Sequence, residues 1–190
     1  MAELYRSSLE QLFEAAFSDA GLTADHSIFL AIREGTDNIA VPDELMKEDD
    51  EEDNSDNLYR QIQEMSIPQK IKLAMLGNKT ARALLVRDPN RSIAMFVLQN
   101  PRLTEGEVQD MAKNNNLDEA ILREIANNAQ WMRSYIVKAG LVANPKTPID
   151  VSVKWVKHLH DADLRRLSRS KNIPQVLASQ CTRMLTQKGK

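Results

Sequence analysis

Residues 98–151 read LQNPRLTEGEVQDMAKNNNLDEAILREIANNAQWMRSYIVKAGLVANPKTPIDV. Apolar runs of helical period alternate here with asparagine-marked corners at Asn100-Pro101, Asn114-Asn115-Asn116, Asn127-Asn128 and Asn144-Pro145. The pattern continues to Gly77-Asn78 and Asp88-Pro89-Asn90 upstream and to Ser170-Lys171-Asn172 downstream. Equivalent corners at 88, 100, 114, 128, 144 and 170 lie 12, 14, 14, 16 and 26 residues apart. The last interval holds the His158–Asp161 turn, so it is two steps of about 13, and two helices make a unit of roughly 26–30 residues. A repeat of that length decides the architecture before any single residue does.

The corners bound helices at about 67–76, 80–87, 91–99, 104–113, 118–127, 130–143, 148–158, 162–169 and 174–186. Ser66 with Gln69 and Thr104 with Glu107 read as capping boxes, and Pro68 falls in a first turn, where its missing donor costs nothing. Asp118 reads as a cap, and Thr147, Pro148 and Asp150 combine a cap, a first-turn proline and an acid at the positive end of the dipole. Met132, Tyr135, Ile136 and Ala139 form one apolar stripe, and Leu177, Cys181, Met184 and Leu185 another. Helices this short are unstable alone, so each pair must stack on the next. The expectation is an all-α fold: a right-handed α-solenoid of short hairpins with an N-terminal helical appendage.

Within that frame, LQNPRLTEGEV (98–108), GLVANPKTPIDV (140–151) and SRSKNIPQVL (168–177) resemble the leucine-rich repeat variant family, whose units join helices through Asn-Pro corners. The wider likeness is to HEAT-like helical repeats. From GNKTARALLVRDPNR (77–91) onward the chain is also similar to a bacterial family of small helical-repeat proteins. The resemblance spans roughly residues 66–187 and implies shape, since such repeats serve many activities. Some leucine-rich repeat variant proteins carry a cysteine cluster for an iron–sulfur centre. This chain has one cysteine, Cys181, so no cofactor is carried over.

The 65 residues before Ser66 differ in kind. Residues 3–19 place Leu9, Leu12, Phe13, Ala16 and Phe17 at helical spacing, and Ile28, Phe29 and Ile32 suggest a second helix ending near Gly35. Residues 43–56 hold nine acids and one lysine, six of the acids consecutive from Glu48 to Asp53. That composition predicts a disordered linker. The expected domains are therefore an acidic helical element at 1–42, a linker at 43–57 and a repeat domain at 58–190.

Composition restricts function. The lone cysteine rules out an intramolecular disulfide, no signal peptide opens the chain, and no apolar run reaches the 18 or so residues of a membrane span. A cytoplasmic protein without a membrane role is expected. A net charge of −2 conceals −13 over residues 1–56 and +11 over residues 57–190. An acidic segment that masks a basic face is one reading of this polarity.

Catalytic signatures are sparse. There is no P-loop, dinucleotide glycine fingerprint or Cys-x-x-Cys. His158, His160, Asp161 and Asp163 are the only candidate metal ligands, and side chains at i and i+2 on a helix diverge, so a plain turn is the better reading. Cys181 sits on an apolar stripe and reads as core, as does Trp155, while Trp131 reads as a staple at its corner. Most repeat-domain acids fall in first turns, where dipole and capping account for them. No enzyme activity, cofactor or metal is expected.

Cations remain. Lys79, Arg82, Arg87, Arg91 and Arg102 fall near successive corners, and Arg133, Lys138, Lys146, Lys154 and Lys157 continue the series. Arg165, Arg166, Arg169 and Lys171 are the densest group. Equivalent corners of a solenoid line up along one edge, so these residues would form a ladder. The expected function is a protein-binding scaffold or adaptor that pairs Arg133, Lys138, Arg165, Arg166 and Arg169 with an acidic partner. The alternative is a nucleic-acid-binding module using the same cations on phosphate. The scarcity of aromatics for base stacking argues against it.

Overall fold

The computed structural model describes residues 23–47 and 55–188. The expected helix over 3–19 and the acidic run Glu48–Asp53 lie outside them. The described residues are all-helical, with eleven α-helices, two 3-10 turns and no strand. No helix among them is long and apolar enough to cross a membrane. The chain divides at Pro101 into two compact units.

The first unit contains α1 (Thr23–Glu34), α2 (Ser55–Glu64), α3 (Ile67–Leu76), α4 (Lys79–Leu85) and α5 (Arg91–Val97). Helix α1 ends as its sequence predicts. Gly35 takes φ 68°, its N–H reaches Ile32 O at 3.2 Å, and Thr36 N–H reaches Ala31 O at 2.9 Å. This double bond closes the orphan carbonyls and requires the left-handed conformation that glycine supplies cheaply.

Residues after Gly35 lie along α3. Lys72 Nζ donates to Asp37 at 2.6 Å and to Ile39 O at 2.8 Å, and Gln69 Nε2 donates to Ala40 O at 2.9 Å. Asp43–Leu45 forms a 3-10 turn whose Leu45 is only 1% exposed, and Leu45 O accepts the Asn78 N–H at 2.8 Å. Leu45 therefore ties the start of the segment expected as linker to the α3–α4 corner. Residues 43–47 are built into the first unit because one apolar side chain in the acidic run, Leu45, finds a core. Helix α2, which the linker reading passes over, buries Ile62 and packs against α4.

At the α3–α4 corner Gly77 is required by close approach. A Cβ there would strike the Leu73 carbonyl and lie 2.9 Å from Leu73 Cδ1. Asn78 caps α4 by accepting the Ala81 N–H at 3.0 Å. Helix α5 is buried from Ser92 through Val97, and Phe96 stacks on Phe29 of α1 with centroids 5.4 Å apart.

The second unit contains α6 (Glu105–Lys113), α7 (Glu119–Asn127), a 3-10 turn at Trp131–Arg133, α8 (Tyr135–Ala143), α9 (Ile149–Val156), α10 (Asp161–Ser168) and α11 (Gln175–Lys188). One core cluster joins Val142, Val156, Leu159, Leu164, Leu167, Ile173, Leu177 and Cys181. The helix expected at 130–143 is two elements, because Ser134 takes ψ 125° and stops the 3-10 turn before α8 begins. Met132 is therefore not on the α8 stripe. Val137, Gly140, Leu141 and Val142 carry the buried face, and Ile136 is exposed. Thr147 does not cap α9 either: Pro148 occupies that position, and the Thr147 hydroxyl is buried with no hydrogen-bond partner among the described residues.

Neighbouring helices pack, α8 on α9 and α10 on α11, and so do alternate ones: α3 on α5 in the first unit, and α6 on α8 and α9 on α11 in the second. Buried asparagines tie these pairs. Asn100 Nδ2 donates to Ala74 O at 3.0 Å and Gly77 O at 3.2 Å, closing the end of α3. Asn144, only 3% exposed, donates to Ala112 O and Asn114 O, both at 3.0 Å, closing the end of α6. Each places an amide on carbonyls that a helix end leaves unsatisfied. Oδ1 of Asn114, Asn128 and Asn144 accepts the N–H two residues on, at 2.9 Å in all three. That shared Asx turn is why the corners repeat in the sequence.

Candidate interaction surface

The first turn of α8 meets the N-terminus of α10 in the second unit. The Tyr135 hydroxyl donates to the Asp163 carboxylate and accepts the His160 N–H at 3.1 Å. Its ring stacks on His160 at 4.0 Å and 13°. Asp163 also pairs with Arg166 Nη2 at 2.8 Å, one turn along α10. Partial burial, and then donation to Asp163, raise the Tyr135 pKa, so the phenol stays protonated and keeps donating.

Across α8 and α9 lies a second group. The Trp155 ring has Lys154 Nζ 5.4 Å and Lys138 Nζ 5.9 Å from its centroid, with His158 tilted against it at 5.3 Å. Its indole N–H is buried and has no hydrogen-bond partner among the described residues. Lys138 Nζ also reaches Arg133 O at 3.5 Å, which brings the 3-10 turn to the same place. Trp155 packs on the core at one side and is covered by lysines, so the sequence reading of a plain core residue is half of its role. Trp131 is partly buried, and its N–H bonds Asn128 Oδ1 at 3.3 Å.

Of the five cations expected to form the contact surface, Arg133 and Lys138 stand together at the base of α8. Arg166 lies on α10, engaged by Asp163. Arg165 is exposed on α10, and Arg169 is exposed at that helix's C-terminal cap. Among the described residues, no carboxylate comes within ion-pair distance of Arg133, Lys138, Arg165 or Arg169. Arg82 leaves the ladder altogether. It is 1% exposed, and its Nη1 donates to Gly77 O at 2.9 Å, so it closes a helix end from inside.

The histidines face different rings, His158 on Trp155 and His160 on Tyr135. Among the described residues no three His, Cys, Asp or Glu side chains gather as metal ligands would. Cys181 is fully buried, and burial raises its thiol pKa. Arg123 grips Asp150 through two bonds, at 2.6 and 3.2 Å, between α7 and α9, and this guanidinium holds the Asp150 pKa below the usual carboxylate range.

Spacing within a helix could not reveal the Tyr135 and Trp155 groups. The corner pitch could have, because Tyr135 lies 25 residues from His160 and 28 from Asp163, close to one two-helix unit. Compared with known proteins, the chain matches no family model, no curated protein and no solved structure.

Proposed function

We propose that the chain is a non-catalytic adaptor, a right-handed α-solenoid that holds a protein partner on a surface including Arg133, Lys138, Arg165, Arg166 and Arg169. The observation that carries the repeat reading is the separation of side-chain bonds between elements. Asn100 to Ala74 spans 26 residues, Arg123 to Asp150 spans 27, Tyr135 to Asp163 spans 28 and Asn144 to Asn114 spans 30. Bonds recurring at the two-helix pitch are what stacked hairpins produce. The resemblance of residues 66–187 to leucine-rich repeat variant and HEAT-like proteins points the same way.

Charge supports the surface. Residues 131–188 hold eleven Lys or Arg against three Asp or Glu. A surface so biased attracts acidic partners at long range.

The test is affinity capture from lysate by the full chain and by a variant with all five cations changed to glutamate, each with and without nuclease. The proposal expects a protein partner that survives nuclease and is lost with the variant. Capture abolished by nuclease would replace this reading with nucleic-acid binding.

A further inference from the structure

We infer that the cluster of Arg133, Lys138, Lys154 and Trp155 is the point where a short acidic segment of the partner docks. The inference rests on the adaptor reading and narrows it to one corner of the second unit. Two ammonium groups share one indole ring there. Each gains little from an exposed cation–π contact while repelling the other. Among the described residues, no carboxylate is within ion-pair distance of Lys138, Lys154, Lys157 or Arg133. Asp163, which faces α8 from α10, is already engaged by Tyr135 and Arg166.

Dipole complementation explains part of this. Lys154 lies in the last turn of α9 and Lys157 at its C-cap, where positive charge is favourable. It does not explain Lys138, in the middle of α8, or Arg133, in the 3-10 turn. Their convergence on Trp155 comes from tertiary packing. A partner's carboxylates would draw the ammoniums off the indole and leave the ring as an apolar floor, the arrangement that makes tryptophan an anchor at interfaces.

The same geometry disfavours single-stranded nucleic acid, which needs free aromatic faces. Tyr135 is stacked by His160 and Trp155 has His158 against it, so this corner offers at most one indole face where a strand needs several in a row. The ligand this corner fits is therefore a peptide with carboxylates a few residues apart.

The experiment uses the full chain carrying Trp131→Phe. The chain has two tryptophans, so Trp155 becomes the sole indole reporter. An alternating Glu-Ser peptide, its Gln-Ser counterpart and a single-stranded oligonucleotide are titrated while emission and affinity are followed. If Trp131→Phe lowers the unfolding midpoint, the two indole N–H resonances of the unmodified chain supply the same readout by NMR. The expected result is a Trp155 response to the Glu-Ser peptide alone. Lys138→Gln with Lys154→Gln should weaken binding at least about tenfold, because charge-assisted bonds are lost, whereas Arg60→Gln with Lys113→Gln, two exposed cations outside the proposed surface, should change it less than about twofold. Glu-Ser binding that leaves Trp155 silent, or survives Lys138→Gln with Lys154→Gln, would overturn this site and leave the adaptor reading standing. No binding of the Glu-Ser peptide would also overturn it. Tighter binding of the oligonucleotide would overturn both.

Discussion

At Asn144 a single carboxamide bonds three ways: Nδ2 to Ala112 O and Asn114 O, and Oδ1 from Lys146 N–H. No other side chain of this size offers two donors and an acceptor in that plane. Asn144→Ala should destabilise the protein by about 2–3 kcal/mol, since buried carbonyls lose their partners. Denaturant unfolding would measure it. Thr147 presents the opposite case, a buried hydroxyl with no partner among the described residues. Thr147→Val keeps the shape and removes the unpaired group, so the melting temperature should rise, by an amount equivalent to about 1 kcal/mol. An unchanged or lower midpoint would mean that the hydroxyl is satisfied in solution. Both positions stand in Asn-Pro-Lys-Thr, where the asparagine was legible as a corner residue. Its long-range bond was not, because local turn chemistry and tertiary capping use the same residue type.

Among the elements, most helices from Ser66 onward were readable to within two residues, because each corner carries its own stop and start signals. Two failures have physical causes. In the 130–143 segment Met132, Tyr135, Ile136 and Ala139 keep a helical spacing across Ser134, so the period could not reveal that Ser134 adopts extended backbone. Helix α2 has only Leu58, Tyr59 and Ile62 as apolar residues, too few to mark the start of the expected repeat domain as helical. The segment between α1 and the 3-10 turn adds a pH response. The Lys72 ammonium, donating to Asp37, holds that carboxyl below its usual pKa, with the Ile39 N–H helping. A depressed folded pKa stabilises fully above the unfolded value, about 3.9, and the benefit is lost as pH falls through the lower folded value. Below about pH 4 the wild type should therefore lose stability more steeply than Asp37→Asn, as acid titrations followed by circular dichroism would show.

Whole-molecule behaviour follows from the two compact units. Each has its own buried asparagine closing a helix end, Asn100 in the first and Asn144 in the second. Units that bury separate cores can open separately. Hydrogen exchange on Asn144→Ala should accelerate amides of α6, α8 and α9 while those of α3 and α5 keep their protection. Uniform acceleration across the chain would instead mark one cooperative unit. Charge polarity is also a whole-chain property, visible in the sequence as −13 against +11. Which cations converge was not visible, because Lys138 and Lys154 meet only through the packing of α8 on α9.

The core of the second unit contains the chain's one thiol, Cys181, fully buried beside Leu164, Leu167 and Leu177. The protein thus carries a built-in clock. An alkylating reagent can reach that sulfur only during excursions that part α10 from α11, and burial that disfavours the thiolate keeps the closed form inert. When reclosing outruns alkylation, the observed rate is the opening equilibrium multiplied by the rate for a free thiol. Engagement of a partner, or any substitution in the second unit, can then be timed by mass spectrometry without attaching a label.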